Sequence, residues 1–341
     1  GPAGSRRDRL AERRARLGAA QRAALEERLR SGAVAAVGMP AGGTAGGAAS
    51  AGSRCLVPLR PAGDGPPLFL VHPAGGDVLC FQALATHLAP GRPVYGLQSW
   101  GLIDGAEPDA TIEAMAERYV EEVRRVQREG PCHLAGWSLG GGLAFEMARR
   151  LESREAPAGL LAVIDTVPRL ADLGLPELDP GEAPDDARWL MHVVDYAEGL
   201  SGRSLGLAYE ALRALPAAEQ VGRVAGALTG AGLLPAGAGA RYLERLLAVF
   251  KTNCRAAGAY RPGRYGGSVV LFRAARDAPG EEAEPDLGWG RYAGRPVAVE
   301  AVPGTHVTLL AEPHVRELAA RLDDWLTRLD RAPCAITEEA S

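Results

Sequence analysis

Short apolar segments alternate with amphipathic ones along most of this chain, and this alternation restricts the fold more than any other feature. Three amphipathic segments with apolar residues at helical spacing predict the helices Ile112–Glu129, Leu139–Leu151 and Glu312–Leu329. Strands separated by helices favour an α/β fold, with a mainly parallel central sheet that helices cover on both faces. The apolar segments predicted as strands are Leu68–His72, Pro93–Leu97, His133–Gly136, Leu160–Ile164, Ser268–Phe272 and Val297–Val302.

One stretch of about 100 residues, between Asp165 and Ser268, interrupts the alternation and contains no convincing strand. Its periodicity predicts four helices instead: Ala187–Leu200, Leu205–Leu215, Glu219–Thr229 and Arg241–Ala257. Two interpretations stay open: a helical subdomain that only adds stability, or a lid, about residues 170–257, over a site at the sheet edge. Insertions beside a catalytic edge often gate substrates, which favours the lid.

The ends of the chain differ in composition from this central region. Gly1–Ser5 is typical of an expression scar. Residues 6–30 carry a partial leucine stripe among Arg and Glu, which predicts an amphipathic helix, either a solvated flank or a docking segment. Residues 31–54 are mostly Gly, Ala and Ser and predict a flexible linker. The folded domain is therefore expected over residues 55–332, followed by a tail at 333–341.

Charge and cysteine content exclude several classes of function. The chain of 341 residues carries 38 Lys and Arg against 42 Asp and Glu, a formal charge of −4, which gives no electrostatic footprint for nucleic acid or an anionic membrane. No run of about 18 apolar residues predicts a membrane-spanning helix. The five cysteines are scattered and form no Cys-x-x-Cys pair, so we expect reduced thiols, no metal site and a cytoplasmic protein.

The pentapeptide Gly136–Gly140 has the pattern Gly-x-Ser-x-Gly and lies between a predicted strand and a predicted helix. This is the setting of a nucleophile elbow, a tight turn that presents a serine at the edge of a sheet. The turn leaves no room for side chains two residues before and after the serine, hence the two glycines. Ser138 would then lie at a helix N-terminus, where free N–H groups face developing negative charge. We therefore expect Ser138 to be a catalytic nucleophile.

A serine nucleophile needs a base, and in this type of fold the order along the chain is Ser, acid, His. Three histidines follow a possible acid. His192 falls in the helical insertion and His314 begins the last helix, whereas His306 lies in a loop just past the final strand. A loop at the carboxyl edge of the sheet is where the base is expected, so His306 is the predicted base.

Two aspartates could be the acid, which fixes the imidazole tautomer and stabilises the imidazolium. Asp165 directly follows the strand Leu160–Ile164, and Asp277 lies several residues beyond the strand Ser268–Phe272. Both could present a carboxylate at the sheet edge. The closer attachment to its strand favours Asp165, but position alone leaves both open.

The residues His72–Gly76 follow the first long strand and contain two glycines. Such a loop can donate a backbone N–H to an oxyanion, paired with the N–H that follows the nucleophile. The predicted donors are the N–H groups of Ala74 and Leu139. His72 could be mistaken for a base, and we expect it rather to shape this loop.

Together these segments resemble the thioesterase domains that end non-ribosomal peptide and polyketide synthases, within the α/β-hydrolase superfamily. The resemblance covers roughly Pro67 to Leu329. The motifs that carry it are VHPAGG (71–76), GWSLGG (136–141), ID (164–165), AYRPGRYGGSVVLFRA (259–274) and PGTHVTLL (303–310).

The resemblance implies roles for individual residues. Ser138 would accept the acyl chain, His306 would be the base, and Asp165 stands where the family usually places its acid. Trp137 is typical of terminal, synthase-embedded members, whereas stand-alone editing members more often carry His there. Trp137 and His72 are further candidates for contact with the substrate.

The resemblance also implies a reaction and a partner. An acyl or peptidyl thioester would arrive on an upstream carrier domain, whose phosphopantetheine arm belongs to the carrier, so this chain would need no metal or dissociable cofactor of its own. Release would be hydrolysis, macrocyclisation, or oligomerisation before cyclisation. The alternatives are a stand-alone editing thioesterase or carboxylesterase and, more remotely, a non-catalytic interaction domain.

Overall fold

The computed structural model describes residues 55–103, 105–175, 186–234, 239–275 and 284–331. The predicted scar, N-terminal helix and linker (residues 1–54) and the predicted tail (residues 333–341) lie outside the described residues, as do Asp277 and two short parts of the insertion. None of the described helices combines the length and apolar character needed to cross a membrane.

Seven strands form one sheet in the order β1-β3-β2-β4-β5-β6-β7. All neighbouring pairs are parallel except β1 and β3. The six predicted strands are confirmed within a few residues, and β1, an edge strand, was not predicted. The strands are β1 (Leu56–Arg60), β2 (Leu68–Val71), β3 (Val94–Leu97), β4 (His133–Trp137), β5 (Leu160–Ile164), β6 (Val270–Ala274) and β7 (Ala298–Val302).

Four helices cover the two faces of the sheet, which confirms the α/β-hydrolase architecture. Helices α2 (Ile112–Val126) and α3 (Leu139–Glu152) pack on one face, and α1 (Gln82–His87) and α8 (His314–Arg331) on the other. Alternate residues of the inner strands serve the two cores, because successive side chains of a strand point to opposite faces. In β2, for example, Phe69 and Val71 join the first core and Leu68 and Leu70 the second.

The helical insertion between β5 and β6 is present. Its helices are α4 (Asp186–Ser201), α5 (Tyr209–Arg213), α6 (Ala217–Gly230) and α7 (Gly239–Ala259). Helix α4 reaches the carboxyl edge of the sheet: the ring of its Tyr196 stacks on the Trp137 ring, with 5.7 Å between ring centroids. The insertion therefore contacts the edge at which the predicted site residues lie.

Candidate active site

Ser138 occupies a sharp turn between β4 and α3. Its backbone has φ 57° and ψ −130°, a conformation that costs a non-glycine residue about 1–3 kcal/mol and recurs at functional sites. The flanking glycines make this turn possible. A Cβ on Gly136 would lie 2.0 Å from the Gly140 carbonyl oxygen, and one on Gly140 would lie 2.2 Å from the Val71 carbonyl oxygen. The two glycines of the pentapeptide are thus required by direct backbone contacts.

The turn puts Ser138 at the N-terminus of α3 and beside the end of β5. The Ser138 N–H donates to the Ile164 carbonyl at 3.1 Å, and Leu139 is the first residue of α3. Ser138 is buried. Free N–H groups at a helix start favour negative charge, so the predicted Leu139 donor lies in a suitable electrostatic setting.

Asp165 and His306 are joined directly. The His306 Nδ1–H donates to Asp165 Oδ2 at 2.8 Å, and the other carboxylate oxygen, Oδ1, accepts the N–H of Ala274 in β6 at 2.9 Å. Asp165 is buried, whereas the His306 side chain is 40% exposed. The carboxylate is therefore anchored on one side to the sheet and holds the imidazole on the other. With the ring proton on Nδ1, Nε2 of the neutral ring is left to accept a proton.

The loop that carries His306, residues 303–307 (the β7 loop), is attached to the elbow through Trp137. The indole Nε1–H donates to the His306 carbonyl at 2.9 Å, and the indole and imidazole rings lie 5.1 Å apart. The Thr305 N–H of the loop donates to Oγ1 of Thr308, the residue that follows the loop, at 2.8 Å. The residue next to Ser138 thus holds the backbone and packs against the ring of His306.

The side chain of His72 fixes the loop after β2, residues 72–78 (the β2 loop), to helix α2. Nδ1–H donates to the Pro73 carbonyl at 2.7 Å, and Nε2 accepts the Tyr119 hydroxyl proton at 2.6 Å. Burial lowers the pKa of His72 to about 4, so the ring is neutral. A fully buried ring with both nitrogens engaged fits the predicted loop-shaping role and leaves no atom free for substrate.

The same loop is also fixed by a hydrogen bond from the insertion. Asn253 of α7 donates its Nδ2–H to the Ala74 carbonyl at 2.9 Å. Ala74 is buried, as expected of a residue that lines a closed site. Sequence reasoning missed Asn253, because the partners are 179 positions apart in the chain and no local pattern signals the contact.

The structure therefore gathers the predicted residues Ser138, Leu139, Asp165, His306 and Ala74 at the carboxyl edge of the sheet. Trp137 is buried between Tyr196 and His306, and it supports the β7 loop instead of facing open space. Within the described ranges, no three His, Cys, Asp or Glu side chains gather where they could hold a metal ion.

Comparisons with known proteins agree with this geometry. The profile of the family described as "Thioesterase domain" matches residues 66–326. A dimodular nonribosomal peptide synthase of Bacillus subtilis (strain 168) is 35% identical over 221 residues, 64% of this chain but only 8% of that synthase.

Solved structures give the same result. The wild-type Vlm2 thioesterase domain aligns with a TM-score of 0.59 at 29% identity, covering 79% of this chain and 96% of that domain. The covalent complex of the NocB thioesterase domain with a fluorophosphonate nocardicin G analog aligns with a TM-score of 0.52 at 27% identity, covering 77% and 95%. The resemblance first seen in five short motifs is confirmed along most of the chain. The chain belongs to the thioesterase domain family.

Proposed function

We propose that this chain is a chain-releasing thioesterase, which takes an acyl or peptidyl chain from a phosphopantetheinyl carrier protein onto Ser138 and then releases it. The observation that carries the proposal is the Asp165–His306 hydrogen bond at the sheet edge where the elbow presents Ser138. Trp137, the residue before Ser138, holds the His306 loop. An acid, a base and a strained serine at one edge are the components of a nucleophilic triad.

In the first half-reaction, Ser138 Oγ attacks the thioester carbonyl while His306 Nε2 takes the hydroxyl proton. The carbonyl becomes a tetrahedral oxyanion, which the N–H groups of Ala74 and Leu139 stabilise. Asp165 stabilises the imidazolium that forms. The C–S bond then breaks, His306 returns its proton to the sulfur, and the products are a free carrier thiol and an acyl ester of Ser138.

In the second half-reaction, a new nucleophile gives its proton to His306 and attacks the ester carbonyl. The bond between the acyl carbon and Ser138 Oγ then breaks, and His306 returns the proton to Oγ. Water yields a free acid. An amine or hydroxyl of the same bound chain yields a macrocycle, and one on a second chain yields an oligomer that cyclises later. The insertion over the edge supports a role in this choice, because the access of water to the acyl-enzyme decides between the routes.

The partner follows from the relatives. This chain spans 8% of the Bacillus synthase, which its name describes as dimodular, so a carrier domain of a larger synthase is the proposed donor of the acyl group. The phosphopantetheine arm comes with that donor. The proposed chemistry uses side chains and backbone N–H groups alone, and it requires no metal or dissociable cofactor.

The test is intact-mass spectrometry after mixing the protein with acyl- and peptidyl-N-acetylcysteamine thioesters. We expect an added acyl mass on wild type and none on Ser138→Ala. Ser153→Ala is the matched control, because Ser153 follows α3 and its hydroxyl donates only to the Arg150 carbonyl. The control should acylate like wild type, and the released product identifies the second nucleophile.

Three results would contradict the proposal. An acyl mass that persists on Ser138→Ala would move the nucleophile elsewhere. Folded wild type that neither acylates nor reacts with a fluorophosphonate probe would indicate a non-catalytic domain. Equal kcat/KM for a thioester and the matched simple ester would favour a carboxylesterase over a carrier-dependent enzyme.

A further inference from the structure

The geometry points to Asn253, in the last helix of the insertion, as a positioning residue that aims the Ala74 N–H at the oxyanion. The inference rests on the proposed function and deepens it. It assigns part of the insertion to the catalytic machinery, in addition to any role as a cover over the site.

Helix α7 packs directly on the β2 loop. Gly76 has φ 85°, and a Cβ there would lie 2.5 Å from Val249 Cγ1, so only glycine allows the helix to come this close. One turn further along α7, Asn253 donates to the Ala74 carbonyl at 2.9 Å. The Asn253 side chain is fully buried, so water does not compete for this hydrogen bond.

The direction of the Ala74 N–H is set by the groups on both sides of it. A peptide unit is planar and trans, so the Pro73 carbonyl and the Ala74 N–H point in opposite directions. The Pro73 carbonyl accepts from His72 Nδ1 at 2.7 Å and from the Gly76 N–H at 2.9 Å. Asn253 holds the carbonyl of the following peptide unit, Ala74–Gly75, so the backbone is fixed on both sides of the Ala74 Cα. An oxyanion donor must lie within about 2.7–3.1 Å of its target, so a small rotation here would weaken it.

The side-chain oxygen of Asn253 indicates that packing alone does not account for an asparagine at this position. Its Oδ1 is buried and has no hydrogen-bond partner among the described residues. A buried unpaired acceptor costs about 1–3 kcal/mol, which a leucine of similar volume would not incur. The opposite orientation of the amide, with Oδ1 and Nδ2 exchanged, is excluded because Oδ1 would then face the Ala74 carbonyl oxygen. The need for a donor at this point accounts for an otherwise unfavourable side chain.

The insertion contains a matched control for this arrangement. Gln220 of α6 is also a buried amide, its Nε2–H donates to the Leu215 carbonyl at 3.0 Å, and its Oε1 is likewise unpaired. It holds a backbone carbonyl within the insertion and touches neither loop of the candidate site in the described contacts. Replacing it removes the same chemistry without acting on Ala74.

The experiment compares Asn253→Leu, Asn253→Asp and Gln220→Leu with wild type, using the best thioester from the acylation panel. For Asn253→Leu we expect kcat to fall about 10- to 100-fold, somewhat less than the loss of a whole oxyanion donor. KM should stay within about threefold, because binding before the reaction does not use the donor. Asn253→Asp should lose more, since a carboxylate oxygen would face the Ala74 carbonyl. Gln220→Leu should keep the wild-type kcat.

Stability separates positioning from folding. Asn253→Leu removes the unpaired acceptor together with the donor, so its Tm should stay near that of wild type. If this variant does not fold, Asn253→Ser takes its place: the hydroxyl is too short to reach the Ala74 carbonyl, and the same fall in kcat is expected.

Three results would overturn the inference: wild-type kcat in the folded Asn253 variants, an equal fall in Gln220→Leu, or a rise in KM at constant kcat. All three presuppose that wild type acylates at Ser138 in the same assay. If wild type does not, the proposed function fails, and this inference fails with it.

Discussion

The β2 loop and the β7 loop both border Ser138, but they are held in different ways. The β2 loop is tied to α2 through His72 and to α7 through Asn253, and both side chains are fully buried. The β7 loop carries a half-exposed His306, and its ties are Asp165 and the indole of Trp137. A backbone donor must be rigid to stabilise an oxyanion, whereas a base must reach both the serine and the leaving group. The two constructions match the two tasks that we propose for these loops.

The largest fall in activity is expected when the carboxylate of Asp165, the proposed acid, is replaced. Asp165→Asn should lower kcat by about 10³–10⁴, because an amide no longer fixes the imidazole tautomer or stabilises the imidazolium. Far-UV circular dichroism should show an unchanged fold. Asp277→Asn, the alternative acid from the sequence, should remain within a few-fold of wild type. The reverse ranking in steady-state kinetics would assign the acid to Asp277.

Lowering the pH should destabilise the protein through two buried histidines, His72 in the β2 loop and His133 in β4. Burial lowers the pKa of His72 and of His133 from 6.5 to about 4. Between these values the unfolded chain binds protons that the folded chain does not, so the free energy of unfolding falls as the pH falls from about 6.5 towards 4. Each histidine contributes up to about 3 kcal/mol over the window. His192, whose pKa burial also lowers, acts in the same direction.

Urea unfolding at pH 7, 6 and 5 measures this dependence. His133→Gln removes one titrating group without touching the β2 loop, and the slope should become markedly shallower. A slope that is unchanged in the variant, or a free energy that rises on acidification, would contradict the assignment.

Gly140→Ala should disturb the β2 loop from the side of the elbow. The added Cβ would lie 2.2 Å from the Val71 carbonyl oxygen and 2.7 Å from that of His72, where β2 runs into the loop. We expect a loss of about 1–3 kcal/mol in the free energy of unfolding, together with lower activity. Gly226→Ala is the control, since a Cβ in that exposed position of α6 meets no atom within 4 Å. It should stabilise by up to about 1 kcal/mol.

The smallest effect is expected for the indole hydrogen bond that supports the β7 loop. Trp137→Phe keeps an aromatic ring but removes the donor to the His306 carbonyl, worth about 0.5–1.5 kcal/mol, so kcat should fall about 2- to 10-fold. Trp325→Phe loses a similar bond, from Nε1 to Glu300 at 3.0 Å, on α8. It should leave kcat unchanged. Equal losses in the two variants would mean that the Trp137 bond has no special role at the site.

Six of the seven strands could be predicted from the local sequence pattern, and the local sequence of β1 explains why it could not. The six parallel strands are apolar segments between helices, which is the pattern of a buried parallel sheet. Strand β1 escaped prediction because it is a five-residue antiparallel edge strand containing Pro58, and its pairing with β3 shifts register next to that residue. Proline is found at such irregular edges and weakens the sequence signal of a strand.

Some residues of the candidate site could likewise be predicted from a local motif, and others could not. Ser138 and its glycines form one short motif, so the elbow could be predicted from sequence alone. The choice of Asp165 over Asp277 needed the resemblance, because both follow strands. The supports of the two loops, Trp137 on His306 and Asn253 on Ala74, join residues far apart in the chain and depend on tertiary packing.

The hydrogen bonds of Asp165 also bear on how such domains diversify. Its N–H donates to Phe272 at 2.7 Å and its Oδ1 accepts from Ala274, so the point where the chain leaves for the insertion is fastened to the strand on which it returns. With both ends fixed, each doubling of the intervening length costs only about 0.6 kcal/mol in closure entropy. The length of the insertion can therefore change at little entropic cost while the proposed acid, Asp165, stays fastened to the sheet. Any replacement must still bring a donor for the Ala74 carbonyl, which makes Asn253 the residue to graft along with a new insertion.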